Sequence, residues 1–356
     1  MGDVISALPA LRDLRAGYPD ARITLVANEY VRGALEGCPY VDEVVYGFAY
    51  RHRSWPAAAV MRLGLAARIA GRFDVFLALR SSPRSSAVLG LLSGAPTRVG
   101  YHQVGLAGRM LTHDLGRQPA LQSNRLTNLA VVKALGLKAG PELPALDWVK
   151  RRDRDLADAL LALRGVEIDQ PFAVLQVASH WGCYEWRSDK WAEVVEHVSV
   201  HHGLKVVVVG TAEDFELRKF AEVAELTRRA TSIQGLTTLP MLFHIVSRAA
   251  VVIAPDSALT QVAMAQRVPA AILFGIEPRV RNGPVPGETD SLVQSLQHWE
   301  GREQAPPPNP HCRFGESHCH TANCRENSSF RQIDAPEVCR RIDILLGAPR
   351  SAVAGV

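Results

Sequence analysis

The chain has 356 residues, 47% hydrophobic and 21% charged, with 40 Lys and Arg against 36 Asp and Glu for a formal charge of +4. That length suits two ordinary domains with packed cores, and its six cysteines are too sparse for a disulfide framework, which fits a reducing compartment. No apolar run approaches the roughly 20 residues needed to cross a bilayer, and no basic flank leads into a secretory apolar region, so a cytoplasmic location is expected. Residues 1–150 hold 18 basic and 11 acidic side chains while the remainder holds 22 and 25, so the basic half is expected to face something anionic.

In chain order, RITLVA (Arg22 to Ala27), DEVVYGF (Asp42 to Phe48) and FDVFLAL (Phe73 to Leu79) read as strands separated by helices, which makes a first α/β domain. RHRSWP, Arg51 to Pro56, interrupts the pattern as a basic loop. The segment VKRRDRDLADALLALRG reads as a connecting helix, and Pro171 opens a second sheet. The boundary is placed near Gly165, giving domains over 1–165 and 166–332 with a C-terminal helix and tail over 333–356. REQAPPPN, Arg302 to Asn309, reads as an extended surface loop.

The second domain carries the strongest signal. PFAVLQVA, LKVVVVG, AAVVIAP and AAILFG are near-continuous runs of Val, Ile, Leu and Ala, the pattern of parallel strands buried on both faces. Polar residues collect where these runs end: Ser179 and His180, Gly210 to Glu213, Asp256 and Ser257, and Gly275. Open α/β sheets bind ligands outside the carboxyl ends of their strands, so these residues converge on one crevice. In APDSALTQVAMA the strand ends at Ala254, and Asp256 or Ser257 caps a helix running to about Ala265. Such a helix end favours anions through its free N–H groups and its dipole. Glu213 or Asp214 can bond ribose hydroxyls, although the dipole alone also favours carboxylates in a first turn. Thr237 or Thr238 reads as a further cap.

Three segments, GDVISALPALRDLRAGYPDARITLVA, FDVFLALRSSPRSSAVLGLLSGAPTRVGY and GLTTLPMLFHIVSRAAVVIAPDSALTQVAMAQRVPAAILFG, resemble in order glycosyltransferase family nine, the heptosyltransferases of lipopolysaccharide core assembly. The resemblance implies a GT-B architecture, two Rossmann-like domains facing across a cleft, the first holding a lipid-linked sugar acceptor and the second a nucleotide-activated sugar, typically ADP-heptose. The reaction needs a base for the acceptor hydroxyl and positive potential for the departing diphosphate, with no metal strictly required. By the resemblance Asp3, directly after Gly2, is the base; as an ordinary helix residue it is equally natural as an N-cap. Asp256 and Ser257 match the family's diphosphate-contacting turn, while Ala258 replaces its glycine and Gln261 its histidine. Tyr184 stands where the family often carries a lysine, so Arg187 or Lys190 is left to replace the charge beside Ser179 and His180. Trp186 and Trp191 equally read as core. On the acceptor side, Arg80, Ser81, Ser82 and Arg98 look like positions lining the cleft, with solvated surface arginine as the ordinary alternative.

The implied partners are a nucleotide-sugar donor and a lipid-linked anionic glycan, with peripheral contact at the inner face of the inner membrane, no nucleic acid and no cofactor. Family members carry an apolar strand ahead of the Gly-Asp pair, so the first domain is expected to lack its N-terminal strand, either because the start lies downstream of the true one or because the chain is a degenerate member. Cys312, Cys319 and Cys324, with His311, His318 and His320, form a late cluster without a Cys-x-x-Cys pair, so zinc there is the minor reading. The departures from the family pattern keep a second reading open, a non-catalytic member that binds nucleotide sugar or glycan. A nucleotide-sugar epimerase or dehydrogenase ranks last, because no G-x-G-x-x-G turn follows an early strand.

Overall fold

The computed structural model describes residues 1–48, 63–79, 83–102, 105–119, 122–179, 184–275, 279–285, 292–297 and 329–347. The basic loop Arg51 to Pro56, Arg80, Ser81, Ser82, His180, the proline-rich segment and the late Cys/His cluster lie outside the described residues. The chain forms two compact units, Met1–Pro144 and Ala145–Val356.

The first unit begins with α1 (Gly2–Gly17), which buries Ile5, Leu8 and Leu11. Pro9 inside this helix removes a hydrogen bond at a cost of about 3 kcal/mol. Three buried aliphatic side chains at about 1.5–3 kcal/mol each outweigh that cost, and the helix persists. Its Ala10 packs with Leu129 and Val132 of α5 (Asn124–Lys133). Strands β1 (Thr24–Asn28) and β2 (Glu43–Phe48) pair in parallel, as do β3 (Val75–Ala78), β4 (Thr97–His102) and β5 (His113–Arg117). Helices α2 (Arg32–Leu35), α3 (residues 63–69) and α4 (Pro83–Ser93) flank these strands. Among the described residues no strand joins the two-stranded piece to the three-stranded one.

The second unit is built on one parallel sheet in the order β11-β10-β9-β6-β7-β8. Its members are β6 (Phe172–Leu175), β7 (Lys205–Val208), β8 (Ala230–Ser232), β9 (Val251–Pro255), β10 (Ala270–Phe274) and β11 (Val293–Gln297). Every residue of β6, β9 and β10 is buried, which explains their unbroken apolar sequence: helices cover both faces and no position meets water. Helices α7 (Ser188–His201), α8 (Asp214–Leu226), α9 (Leu239–Arg248), α10 (Ala258–Ala265), α11 (Arg279–Asn282) and α12 (Ala335–Leu346) surround it. The connecting helix α6 (Arg151–Leu163) packs on α9, where Asp158 accepts from His244 Nε2 at 2.7 Å. Trp186, Trp191 and Phe330 are fully buried between the sheet, α7 and α12. No described helix is long and apolar enough to cross a membrane.

Candidate functional site

From β6 the chain proceeds to β7 and β8 on one side and to β9, β10 and β11 on the other, so the strand order reverses between β6 and β9. In an open parallel sheet the ligand crevice lies outside the carboxyl ends of the strands at this reversal. Gln176, one residue past β6, is fixed there by its backbone N–H, which donates to the Ile253 carbonyl at 3.0 Å, and by its side-chain amide, which donates to the Ala178 carbonyl at 2.9 Å. Its Oε1 accepts the Ser257 hydroxyl at 2.8 Å, so the ends of β6 and β9 are tied together by two side chains 81 residues apart.

Ser257 is the N-cap of α10. Its Oγ accepts the Leu259 N–H at 3.2 Å, and Thr260 Oγ1 accepts the Ser257 N–H at 3.5 Å, a reciprocal capping box. Residues Leu259 to Ala265 are all buried, whereas Asp256, Ser257 and Ala258 are half-exposed. The positive end of this eight-residue helix is thus held rigidly and meets solvent, a place where anions are favoured. Asp256 does not cap the helix: its carboxylate accepts from Asn282 Nδ2 at 2.8 Å, and its N–H donates to the Leu273 carbonyl at 2.9 Å. Gln261 is buried and donates to the Asn282 carbonyl at 2.6 Å, so Asn282 fastens α11 to both ends of this turn. Gln297 closes the neighbouring strand end by donating to the Gly275 carbonyl at 2.9 Å.

A model of glycosyltransferase family 9 (heptosyltransferase) matches residues 62–306. The chain belongs to glycosyltransferase family 9. This family 9 chain is 22% identical to the lipopolysaccharide core heptosyltransferase OpsX of Haemophilus influenzae, over 86% of its own length and 85% of the relative's. It is 25% identical to lipopolysaccharide heptosyltransferase 2 of Salmonella typhimurium, over 77% and 80% of the two chains. Among solved structures, a family 9 glycosyltransferase from Veillonella parvula superimposes with a TM-score of 0.74 at 18% identity, covering 97% of this chain and 94% of that one. The E. coli ADP-heptose lipopolysaccharide heptosyltransferase II gives 0.67 at 19%, covering 97% and 95%. The protein is a glycosyltransferase, and its fold is the GT-B class of these neighbours.

The remaining residues singled out in this family 9 sequence fall into distinct settings. Tyr184, at the lysine position, is buried against the edge of Phe330 and against Gly275, where an added Cβ would lie 2.8 Å from its ring. Arg187 is exposed and paired with Asp189 at 2.7 Å. Lys190, the alternative cation, donates instead to the carbonyls of Arg331 and Ile333 at 2.9 and 2.6 Å and anchors the approach to α12. Ser179 is half-buried beyond β6. Glu213 is the N-cap of α8 and Asp214 its exposed first residue, but the carboxylate that shapes the end of β7 belongs to Glu216. That side chain is buried and accepts the Thr211 N–H at 2.6 Å and hydroxyl at 3.0 Å. Thr238 caps α9, accepting the Met241 N–H at 3.4 Å.

In the first unit, Asp3 is exposed in the first turn of α1. Burial pushes the Met1 amine below its ordinary value, with the Asp3 charge opposing, and that amine donates to the Tyr30 hydroxyl at 3.2 Å. Arg98 is half-buried and its guanidinium donates to the carbonyls of Met110 and Ala95 at 2.7 and 2.6 Å, bracing the turn between β4 and β5. Gln176, Asn282, Gln297 and Glu216 escaped the sequence reading. Gln176 left a signal, since it is the one polar residue inside PFAVLQVA; Asn282 left none.

Proposed function

We propose that this glycosyltransferase moves a heptose or related sugar from a nucleotide diphosphate sugar, ADP-heptose, to a lipopolysaccharide core-type acceptor, with inversion and without a catalytic metal. The observation that carries the reading is the Ser257-capped, solvent-facing end of α10 at the strand-order reversal of a family 9 chain. The names of the curated relatives, lipopolysaccharide heptosyltransferases, and the ADP-heptose in the name of the E. coli structure support the substrate class.

In this reading the C-terminal domain holds the donor and the N-terminal domain the acceptor. Asp3 removes the proton from the acceptor hydroxyl as that oxygen attacks the anomeric carbon. The bond to the diphosphate oxygen breaks, its electron pair leaves with the nucleotide, and attack from the opposite face inverts the centre. The amides and dipole at Ser257 and Ala258 offset the charge that develops on the diphosphate, and Ser179, His180 and Arg187 contribute further donors. Glu213 bonds the ribose. Arg80, Ser81 and Arg98 orient an anionic acceptor, in keeping with the basic excess of residues 1–150. The enzyme works in the cytoplasm, peripherally at the inner membrane.

Incubation with ADP-heptose and a truncated-core acceptor in the presence of EDTA, read by mass spectrometry and by NMR of the new anomeric centre, is expected to give a transferred sugar of inverted configuration. Asp3→Asn is expected to abolish transfer while leaving ADP binding intact. A second reading, a non-catalytic nucleotide-sugar binder, is favoured by the buried Tyr184 in the lysine position and by the commitment of Gln261 to the Asn282 carbonyl. Donor binding with neither transfer nor hydrolysis would select it.

A further inference from the structure

At the opposite end of the second sheet, α7 returns from the carboxyl ends of the strands and finishes in three histidines, His197, His201 and His202, beside α12. Nε2 of His197 and Nε2 of His202 both lie 2.7 Å from the same oxygen of Asp343, and the three ligand atoms fall within 4.8 Å of one another. The His202 side chain is 5% exposed and that of His197 18%, whereas Asp343 is 31% exposed and opens the cluster to water. The His201 ring stacks on His197 at 4.7 Å and steadies its orientation.

We propose that His197, His202 and Asp343 form a binding site for one borderline divalent transition ion, of the Zn2+, Co2+ or Ni2+ class, which clamps α12 to α7. Two imidazole nitrogens and one carboxylate oxygen are the donor set such ions prefer, and imidazoles disfavour Mg2+ and Ca2+. One carboxylate oxygen receiving two N–H bonds has both lone pairs occupied, so the two rings aim at a single point where a cation can take the place of the two Nε2 protons, each neutral ring then carrying its proton on Nδ1. That point lies at the C-terminal end of a 14-residue helix, where unsatisfied carbonyls and the dipole favour positive charge. A tetrahedral ion with bonds of about 2.1 Å sets neighbouring ligand atoms about 3.4 Å apart, so each of the two 2.7 Å nitrogen-to-oxygen separations lengthens by about 0.7 Å on loading. Rotation of the half-exposed Asp343 carboxylate supplies that movement, and water completes the coordination. The site uses none of the residues assigned to donor or acceptor, so it stands or falls apart from the catalytic reading.

The test uses tag-free, EDTA-treated full-length protein in which Cys312→Ser, Cys319→Ser and Cys324→Ser remove the late-loop thiols. Cobalt titration followed by visible spectroscopy, then displacement by Zn2+ in a calorimeter, is expected to show one equivalent per chain, d–d bands without a sulfur-to-cobalt charge-transfer band, and a higher thermal midpoint with Zn2+. His197→Gln and Asp343→Asn, each verified as folded by circular dichroism, are expected to weaken zinc at least about tenfold, the loss seen when even a supporting residue of a metal site is removed. Absence of stoichiometric binding, thiolate charge-transfer bands, or unchanged affinity in both folded variants would overturn the assignment.

Discussion

Ser257→Ala separates a helix end that merely ends a helix from one that grips a diphosphate. The substitution removes one oxygen with two roles, accepting the Leu259 N–H and donating to Gln176 Oε1. Loss of the cap costs about 1 kcal/mol, and stranding a half-buried acceptor adds roughly 0.5–1.5 kcal/mol, so urea unfolding should register a loss of about 1.5–2.5 kcal/mol. ADP affinity, measured by calorimetry, should fall about tenfold, equivalent to about 1.4 kcal/mol, because the first turn of α10 is no longer held in register. Ser257→Gly provides the contrast, since glycine at an N-cap costs only a few tenths of a kcal/mol and isolates the bond to Gln176. A double-mutant cycle with Gln176→Leu should return a coupling of about 1 kcal/mol. If Ser257→Ala destabilises the protein yet leaves ADP affinity within about twofold, the α10 terminus is a capped helix and nothing more, and the diphosphate assignment is refuted.

Gly275→Ala should cost about 1–3 kcal/mol by pressing a Cβ onto the Tyr184 ring, and less in a Tyr184→Leu background; equal losses in the two backgrounds would show that the ring is not the obstacle. The carboxyl of Asp42 is held below the usual carboxylate range by the Ile23 N–H and by Arg15. Its contribution is present above the unfolded-state value and lost as pH falls through the lower folded value, so the wild-type urea midpoint should drop more steeply than that of Asp42→Asn between about pH 5 and 3, and parallel curves would contradict this. Burial, aided by the charges of Glu193 and Asp343, pushes the Cys339 thiol up to about 12, leaving it protonated at neutral pH. Peptide mapping after iodoacetamide should find Cys339 unlabelled in native protein and labelled in denaturant; rapid native labelling would count against the packing of α12.

How far the sequence reveals this molecule follows from which residues carry local signals. The unbroken apolar runs of β6, β9 and β10 are legible because full burial leaves no other composition available. β8 and β11 are not, since ATS and VQSLQ are edge strands whose partly exposed residues follow no apolar period. The Ser257 cap is legible from Asp-Ser before an apolar helix, whereas its bond to Gln176 joins residues 81 apart and has no local trace. The same limit applies to Lys190, whose exposed-looking position in SDKWAEV conceals a partner 141 residues further on. Tyr184 is the clearest case. Its place in a motif invites a chemical role, yet the close approach of Gly275 and the edge of Phe330 make it a packing residue.

Around the α10 terminus, the side chains that hold the strand ends and turns together are mainly neutral: Gln176, Ser257, Gln261, Asn282 and Gln297. At that point the backbone amides and the helix dipole supply positive potential, and these side chains fix their direction. This bears on the family positions where the sequence departs. Replacing a glycine by Ala258 leaves the amide in place, and replacing a histidine by Gln261 removes a cation but keeps a donor that locks α11. Asp256 fits the same logic. A carboxylate beside a diphosphate would repel it, so under the proposed donor site the role left to Asp256 is the one its hydrogen bond from Asn282 defines. Under the proposed donor site, substitutions that would disable a site built on charged side chains are tolerated, because what that reading requires of the sequence is a well-capped helix at the point where the strand order reverses.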